Sequence, residues 1–251
     1  MKYRMFVVAT VLFLLAVPGR IDAQRGARGA GPAPTPKASA AIDLTGYWVS
    51  VVTEDWKFRM VTPNKGEYGG VPLTPEGRRV ADTWDPAKDE AAGTQCKSYG
   101  APAIMRVPGR LHVTWENDNT LRIDTDAGTQ TRLFHFGAAQ PPAGEPTWQG
   151  YSVAQWQYGG GGRGPTRVGN LKVVTTHIRP GYLRKNGVPY SANAVVTEYY
   201  DSHEAPNGDR WLVVTTSVDD PVYVNAPFVT STNFKKLPDA AGWNPMPCTA
   251  K

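Results

Sequence analysis

The chain has 251 residues, of which 41% are hydrophobic, and its formal net charge at pH 7 is +5. This positive excess is small, and the sequence contains no basic run with interleaved aromatic residues, so we expect no nucleic-acid partner. Beyond the first 23 residues no stretch is long and apolar enough to cross a membrane as a helix. We therefore predict a soluble protein without a membrane span.

The first 23 residues have the pattern of a secretory signal peptide. Lys2 and Arg4 form a positive start, and thirteen uncharged residues follow, from Met5 to Val17. This run is shorter than the roughly 20 apolar residues that a spanning helix needs, and small Ala23 suits the position before a cleavage site. We predict cleavage after Ala23 and export to the periplasm or the cell exterior. A retained N-terminal anchor is the alternative.

Residues 24–41 predict a flexible, disordered tether. They are rich in Gly, Ala and Pro, carry scattered Arg and Lys, and have no apolar periodicity. Such a segment buries too little apolar surface to offset the conformational entropy that it would lose on ordering. We therefore predict a single folded domain over residues 42–251.

From Ile42 onward the sequence predicts one strand after another. Segments rich in Val, Thr, Ile and aromatic residues are separated by turns such as Asn207-Gly208, which suits a type I′ hairpin. One helix is expected, capped by Thr74 and continuing to about Trp84. The predicted strands are Tyr47–Thr53, Arg110–Glu116, Thr120–Asp124, Thr131–Phe136, Tyr151–Gln157, Leu171–Ile178, Ala194–Asp201, Trp211–Val218 and Val229–Lys235.

The predicted fold is all-β: an antiparallel, lipocalin-like β-barrel of about 8–10 strands with one short helix. In Tyr47–Val52 and Arg210–Val218 apolar residues occupy both faces, whereas a half-solvated sheet alternates more cleanly. Such strands suit a barrel in which one face lines an apolar cavity. A β-sandwich is the alternative architecture.

Cys96 and Cys248 are the two cysteines of the chain. In an oxidising compartment they most simply form one disulfide. Neither has a nearby Cys or His in the sequence, which disfavours the alternative of a metal-ligand pair. The bridge would close a loop of roughly 150 residues and attach the C-terminal segment to the body.

Gly46-Tyr47-Trp48 on the first predicted strand resembles the Gly-X-Trp motif of the lipocalins. In that family the Trp packs at the closed end of an eight-stranded barrel, and a disulfide to the C-terminal segment is common. The resemblance implies a ligand carrier with Trp48 towards its closed end. The last-strand Arg that stacks on the lipocalin Trp has no clear counterpart here, and Lys235 and Lys236 lack its planar guanidinium.

A second resemblance covers about a hundred residues. The chain is similar to a large group of uncharacterised secreted proteins of environmental bacteria, with the pattern W-x-G-H/Y-S, G-x-P-H/Y-S and D-D-P. Where the group has His, this chain has Tyr151 and Tyr190. The resemblance implies a fold relative and no reaction. The segments that carry it are PTWQGYSVAQWQ (146–157), NLKVVTT (170–176), GVPYSANAVVTEYY (187–200) and VDDPVY (218–223).

A polar cluster lies on one predicted strand end and the loop after it: His177, Arg179, Tyr182, Arg184, Lys185 and Tyr190. Glu198 lies on the inward face of the next strand. A buried carboxylate needs a partner. One interpretation is a Glu–Arg or Glu–Tyr pair that fixes the loop; the other is a general base or ligand anchor whose pKa is tuned by burial. The catalytic residues of an enzyme would be Glu198, His177 and Tyr190.

Two other features predict no chemistry. The Gly-rich run Gly159–Gly164 lacks the Gly-Lys-Ser/Thr of a phosphate-binding loop, so we expect a flexible connection. His112, His135 and His177 lie on separate predicted strands without ligand spacing, so we expect no metal site.

The chain contains eight Trp and eleven Tyr, and aromatic-rich β-proteins often bind flat apolar ligands or carbohydrate. We predict an exported barrel that binds a small hydrophobic or aromatic molecule in an internal cavity, without a cofactor. One alternative is a cofactor-free isomerase, lyase or hydrolase that uses the same cavity; another is a cell-envelope interaction protein. The expected ligand-binding residues are Trp48, Tyr151, Trp156, Arg179, Tyr182 and Tyr200.

Overall fold

A closed barrel of nine strands forms the body of the protein in the computed structural model, which describes residues 32–251 except 138–139, 142 and 160–168. The prediction of an all-β barrel is confirmed. The predicted signal peptide, residues 24–31 of the tether and most of the Gly-rich loop lie outside the described residues. The strands are β1 Gly46–Val51, β2 Arg110–Asn117, β3 Thr120–Thr125, β4 Ala127–Gly128, β5 Gln130–Phe136, β6 Tyr151–Tyr158, β7 Gly169–Thr176, β8 Gly181–Arg184, β9 Val188–Tyr190, β10 Val195–Glu204, β11 Arg210–Asp219, β12 Phe228–Lys236 and β13 Met246–Pro247.

In the described part of the chain, the helical segments are short and lie between β1 and β2. The predicted helix is present as α2, where the Thr74 hydroxyl accepts a hydrogen bond from the Gly77 amide at 2.9 Å. No helix in the described part of the chain is long and apolar enough to cross a membrane. The α-helices are α1 Trp56–Arg59, α2 Pro75–Ala81 and α3 Pro86–Ala91, and the 3-10 turns are Gln95–Tyr99 and Ile104–Arg106.

The barrel strands follow the order β1-β12-β11-β10-β7-β6-β5-β3-β2, and β2 closes the barrel on β1. All neighbours are antiparallel except β5 and β6, which run parallel with Phe134 opposite Ser152. A parallel pair cannot be joined by a tight hairpin. The connection between β5 and β6 therefore returns the chain to the end of the barrel at which β5 began.

Side chains fill the interior of the barrel. Alternate residues of each strand point inward, and large inward side chains such as Trp48, Phe134, Tyr200 and Phe234 are at most 1% exposed. These aromatic side chains form the core. They occupy the space in which the sequence predicted an internal cavity for a ligand.

Residues 34–41, which the sequence assigns to the tether, pack against one end of the barrel. The Trp156 indole donates to the carbonyl of Pro36 at 2.8 Å, and the Lys37 amide donates to the carbonyl of Asp118 at 3.1 Å. Ala41 is buried. The compact unit therefore spans residues 34–251, because backbone hydrogen bonds to barrel residues order a segment that has few bulky side chains of its own.

Trp48 closes the core at the same end. Its indole donates to the carbonyl of Leu44 at 2.8 Å, and the ammonium of Lys236 lies 4.5 Å from its ring centroid. Burial lowers the pKa of Lys236, although the Asp43 carboxylate opposes the change. A cation–π contact thus covers Trp48 although the last strand lacks an Arg.

Loops and turns cover the opposite end. Ile104 and Met105 belong to the barrel core, and beyond them the hairpin of β8 and β9 packs with α2 and Phe228 in a second apolar cluster. The predicted disulfide is present: Cys96 and Cys248 are bonded, with their Cα atoms 5.1 Å apart. It attaches the segment after β12 to the turn Gln95–Tyr99.

We expect the double variant Cys96→Ala/Cys248→Ala to unfold at a lower urea concentration than the wild type. The bridge closes a loop between residues 152 positions apart, for which the chain-entropy account gives up to about 5 kcal/mol. Urea unfolding followed by Trp fluorescence measures the loss. Thiol titration of the unfolded, unreduced wild type should find no free thiol, and two free thiols would contradict the bridge.

Candidate functional site

Glu198, the predicted anchor, forms a buried ion pair with Arg132. Nη1 and Nη2 of Arg132 donate to Oε1 and Oε2 of Glu198 at 2.8 and 2.6 Å, and both side chains are fully buried. The Tyr200 hydroxyl donates to Oε1 at 3.2 Å. Burial disfavours the charge on Arg132, but the charges of Glu198 and Tyr200 and the hydrogen bonds to both together outweigh that effect and raise the pKa of Arg132. Burial and the carboxylate together raise the pKa of Tyr200.

The polar group continues along the inner face of the barrel. Arg132 Nη2 donates to the Thr175 hydroxyl at 3.4 Å, and that hydroxyl lies 2.7 Å from the hydroxyl of Ser152. Of the two interpretations of Glu198, the geometry supports the structural pair: both carboxylate oxygens accept from Arg132, and no face of the carboxylate is exposed. Arg132 is not among the site residues predicted from the sequence, although it alternates with inward-facing Phe134 and Phe136 on β5.

The three predicted catalytic residues are not brought together. His177 lies beyond the end of β7 with φ +56°, and its Nε2 is 2.9 Å from the carbonyl oxygen of Gly144. Tyr190 is buried in the second apolar cluster, where its hydroxyl has no partner among the described residues and burial raises its pKa. Because Glu198 lies inside the barrel, it makes no catalytic unit with either.

The predicted ligand-binding residues have separate structural partners, so they form no common cavity. Trp48 and Tyr200 pack inside the barrel, and the Trp156 indole donates a hydrogen bond to the carbonyl of Pro36. The others have different partners: Tyr151 stacks on His135 at 4.8 Å, Arg179 lies 4.6 Å from the ring of Trp148, and Tyr182 donates to Asp89 at 2.9 Å.

Histidines are likewise separated. His112 stacks on Tyr47 with ring centroids 4.1 Å apart, on the outer surface of β1 and β2. Among the residues that the structure describes, no group of three His, Cys, Asp or Glu side chains could hold a metal ion.

Two of the motifs that carry the bacterial resemblance meet in space. Asp220 is fully buried and accepts hydrogen bonds from the amide and the hydroxyl of Ser191, at 2.5 and 2.8 Å. It also accepts from the Val222 amide at 3.0 Å. The Tyr-Ser and Asp-Asp-Pro segments therefore form one corner, in which Asp220 fixes the turn after β11.

A cavity of about 500 Å³ lies at the loop-covered end of the barrel. The segment after α1 and the turns before β2 form two of its sides, and β8 and the segment of β13 form the others. Its apolar wall includes Phe58, Met60, Val107, Leu183 and Pro247. The disulfide holds one side in place, because Ser98 and Thr249 are close in sequence to its two cysteines and both line the cavity.

Positive charge dominates the wall of this cavity. Five basic side chains line it against one carboxylate, that of Asp126. Arg184 and Lys185 belong to the polar cluster predicted from the sequence, whereas the other three come from segments far from it in the chain, so neither spacing nor composition predicted the full set. They are Arg59, Arg106, Arg110, Arg184 and Lys185.

A second cavity, of about 310 Å³, lies beside the stacked rings of Tyr47 and His112. Trp243, Asp124 and Gln130 contribute to its wall. It is the smaller of the two and has fewer apolar side chains, so the cavity at the barrel end is the better candidate for a ligand site.

No protein-family model, no curated protein and no solved structure matches the chain. Inferences about function therefore start from the cavity and its charges.

We expect Glu198→Gln to destabilise the fold by about 3–5 kcal/mol, because it leaves the charge of Arg132 buried without its carboxylate. Urea unfolding at pH 7 measures the loss. The apolar double variant Arg132→Met/Glu198→Leu should recover most of it.

The matched control is Asp124→Asn, which removes the carboxylate from a pair that Arg122 forms at the surface, at 2.8 Å. Surface pairs contribute about 0–1 kcal/mol, so we expect little change. Equal losses for the two single variants would contradict the structural role of the buried pair.

Proposed function

We propose that the protein is an exported binding protein that holds a small, largely apolar molecule in the cavity at the loop-covered end of the barrel. The observation that carries this proposal is the cavity itself. Its volume of about 500 Å³ lies within the range of roughly 300–1,000 Å³ that is typical of ligand sites, and apolar walls with a few convergent polar groups are the usual lining of such sites.

Exposed apolar side chains surround the entrance. Met60, Val61 and Met246 line the cavity and are 59%, 63% and 55% exposed. Trp56 is 66% exposed and lies one turn before Met60. A group of exposed apolar residues next to a cavity supports ligand entry there. It also accounts for four of the exposed apolar residues that would otherwise favour a cell-envelope interaction protein, namely Trp56, Met60, Val61 and Met246.

The enzyme alternative has less support. It needs a base and an acid within hydrogen-bonding reach of a common substrate, whereas Glu198 is enclosed with Arg132 and His177 binds the carbonyl of Gly144. Export is supported by the apolar run after Arg4 and by the disulfide, since disulfides persist in oxidising compartments.

We expect the neutral dye N-phenyl-1-naphthylamine to bind the purified mature protein saturably, with a rise in dye fluorescence. Val61→Asp should weaken this binding about tenfold, because it places a charge in the apolar entrance.

Val229→Asp is the control. Val229 is 59% exposed, against 63% for Val61, but it lies on β12 away from the cavity. Dye binding to this variant should equal that of the wild type. Equal weakening in both variants, or no saturable binding to the wild type, would refute the cavity as the ligand site.

A further inference from the structure

Three arginines of the cavity wall are almost completely buried. Arg59, Arg106 and Arg184 are 8%, 6% and 4% exposed. Each keeps a buried N–H group without a hydrogen-bond partner among the described residues: Nη2 of Arg59, Nη1 of Arg106 and Nε of Arg184. Buried donors on charged groups are rarely left unpaired. The three arginines line one cavity, so this cluster holds more N–H donors than the described residues supply acceptors.

The charges of these arginines are incompletely balanced. Arg59 pairs with Glu54, and Arg106 Nη2 donates to Asp55 Oδ2 at 3.1 Å. Arg184 lies 3.9 Å from the same oxygen of Asp55, beyond hydrogen-bonding distance. Three positive charges against two negative ones leave one positive charge. Burial and the charge of Arg106 lower the pKa of Arg184 to about 10, which agrees with a site that lacks an anion.

Aromatic rings hold the guanidinium groups in place. The Arg184 guanidinium lies 4.2 Å from the ring centroid of Phe58, and both Arg184 and Arg106 lie over Phe228, at 5.7 and 5.6 Å. Arg184 Nη1 also donates to the carbonyl of Gly69 at 2.7 Å. Stacked guanidinium groups present fixed donors, so the site is formed before any ligand enters.

Asp55 occupies the solvent side of this cluster. It has a left-handed backbone with φ 51°, its side chain makes no capping hydrogen bond to α1, and that side chain is 42% exposed. Its Oδ2 atom lies 3.1 Å from Arg106 Nη2 and 3.9 Å from Arg184 Nη2. An exposed carboxylate shared by two buried arginines is the group that an incoming anion would displace most easily.

We propose that the cavity binds an organic acid whose single carboxylate replaces Asp55 at Arg106 and Arg184 while its apolar body contacts the wall around Phe58. This inference rests on the proposed binding function and adds the charge of the ligand. The head group is an oxyanion, because arginine forks pair with carboxylate and phosphate oxygens. A single carboxylate replaces the charge of Asp55 one for one and so keeps the charge balance of the cluster, which favours it over a doubly charged phosphate.

The test compares three probes with the same chain, namely octanoate, octyl phosphate and 1-octanol, by calorimetric titration of the mature protein. Octanoate should bind at least about tenfold more tightly than 1-octanol, because charged hydrogen bonds distinguish the two. Octyl phosphate should bind more weakly than octanoate. Tighter binding of octyl phosphate would overturn the choice of a carboxylate.

Asp55→Asn gives the sharper test, because Asn also tolerates a left-handed backbone and the variant removes the competing charge. We expect octanoate to bind this variant about tenfold more tightly than the wild type, with 1-octanol unchanged. A merely structural role of Asp55 would weaken binding or leave it unaltered. Octanoate should also raise the Tm of the variant more than that of the wild type.

Asp85→Asn is the matched control. Asp85 is the N-cap of α3 and its side chain is 38% exposed, but it pairs with Lys88 away from the cavity. Octanoate should bind this variant as it binds the wild type.

Equal affinity for octanoate and 1-octanol, or no gain with Asp55→Asn, overturns the anion site and leaves the proposed function standing. Failure of all three probes also overturns the anion site. The proposed function fails only if the neutral naphthylamine dye fails as well.

Discussion

The ion pair between Arg132 and Glu198 imposes the constraint on which the rest of the barrel depends. The pair joins β5 to β10, and Thr175 of β7 and Ser152 of β6 extend its polar group across the inner faces of the two strands between them. A fully buried pair tolerates no loss of either partner and requires that water be kept out. The interior around it is accordingly filled, and the larger cavity lies outside it, at the barrel end.

The fold was predictable because its signals are local. Alternating Val, Thr and aromatic residues indicated the strands, Thr74 and Pro75 indicated α2, and two cysteines without rivals indicated the disulfide. The parallel pairing of β5 with β6 was not predictable, since the same alternation suits either direction. Residues 34–41 look like part of the tether because their composition is poor in bulky side chains. Their order comes from hydrogen bonds to Trp156 and Asp118, which composition does not encode.

The site was much less predictable than the fold. Sequence reasoning selected aromatic residues and the acid on inward faces, and it correctly expected Glu198 to need a partner. The partner, Arg132, is 66 residues away. Arg59 and Arg106 look like solvated surface arginines in the sequence, and Arg184 belongs to the predicted polar cluster without any sign of its partners. Only the packing of α1, the turn before β2 and the β8–β9 hairpin brings them into one cavity, so their burial is a property of the fold.

The disulfide determines when, during synthesis of the chain, one side of the cavity can be fixed. Cys248 follows β12, the last strand of the barrel, whereas Cys96 precedes all barrel strands but β1. Because the chain is synthesised from its N-terminus, all the residues of the barrel strands are made before Cys248, and the bond can form only afterwards. Oxidation then fixes the side of the cavity that contains Pro247 and Thr249. This side of the cavity is thus completed only after the sequence of the whole β-barrel has been synthesised.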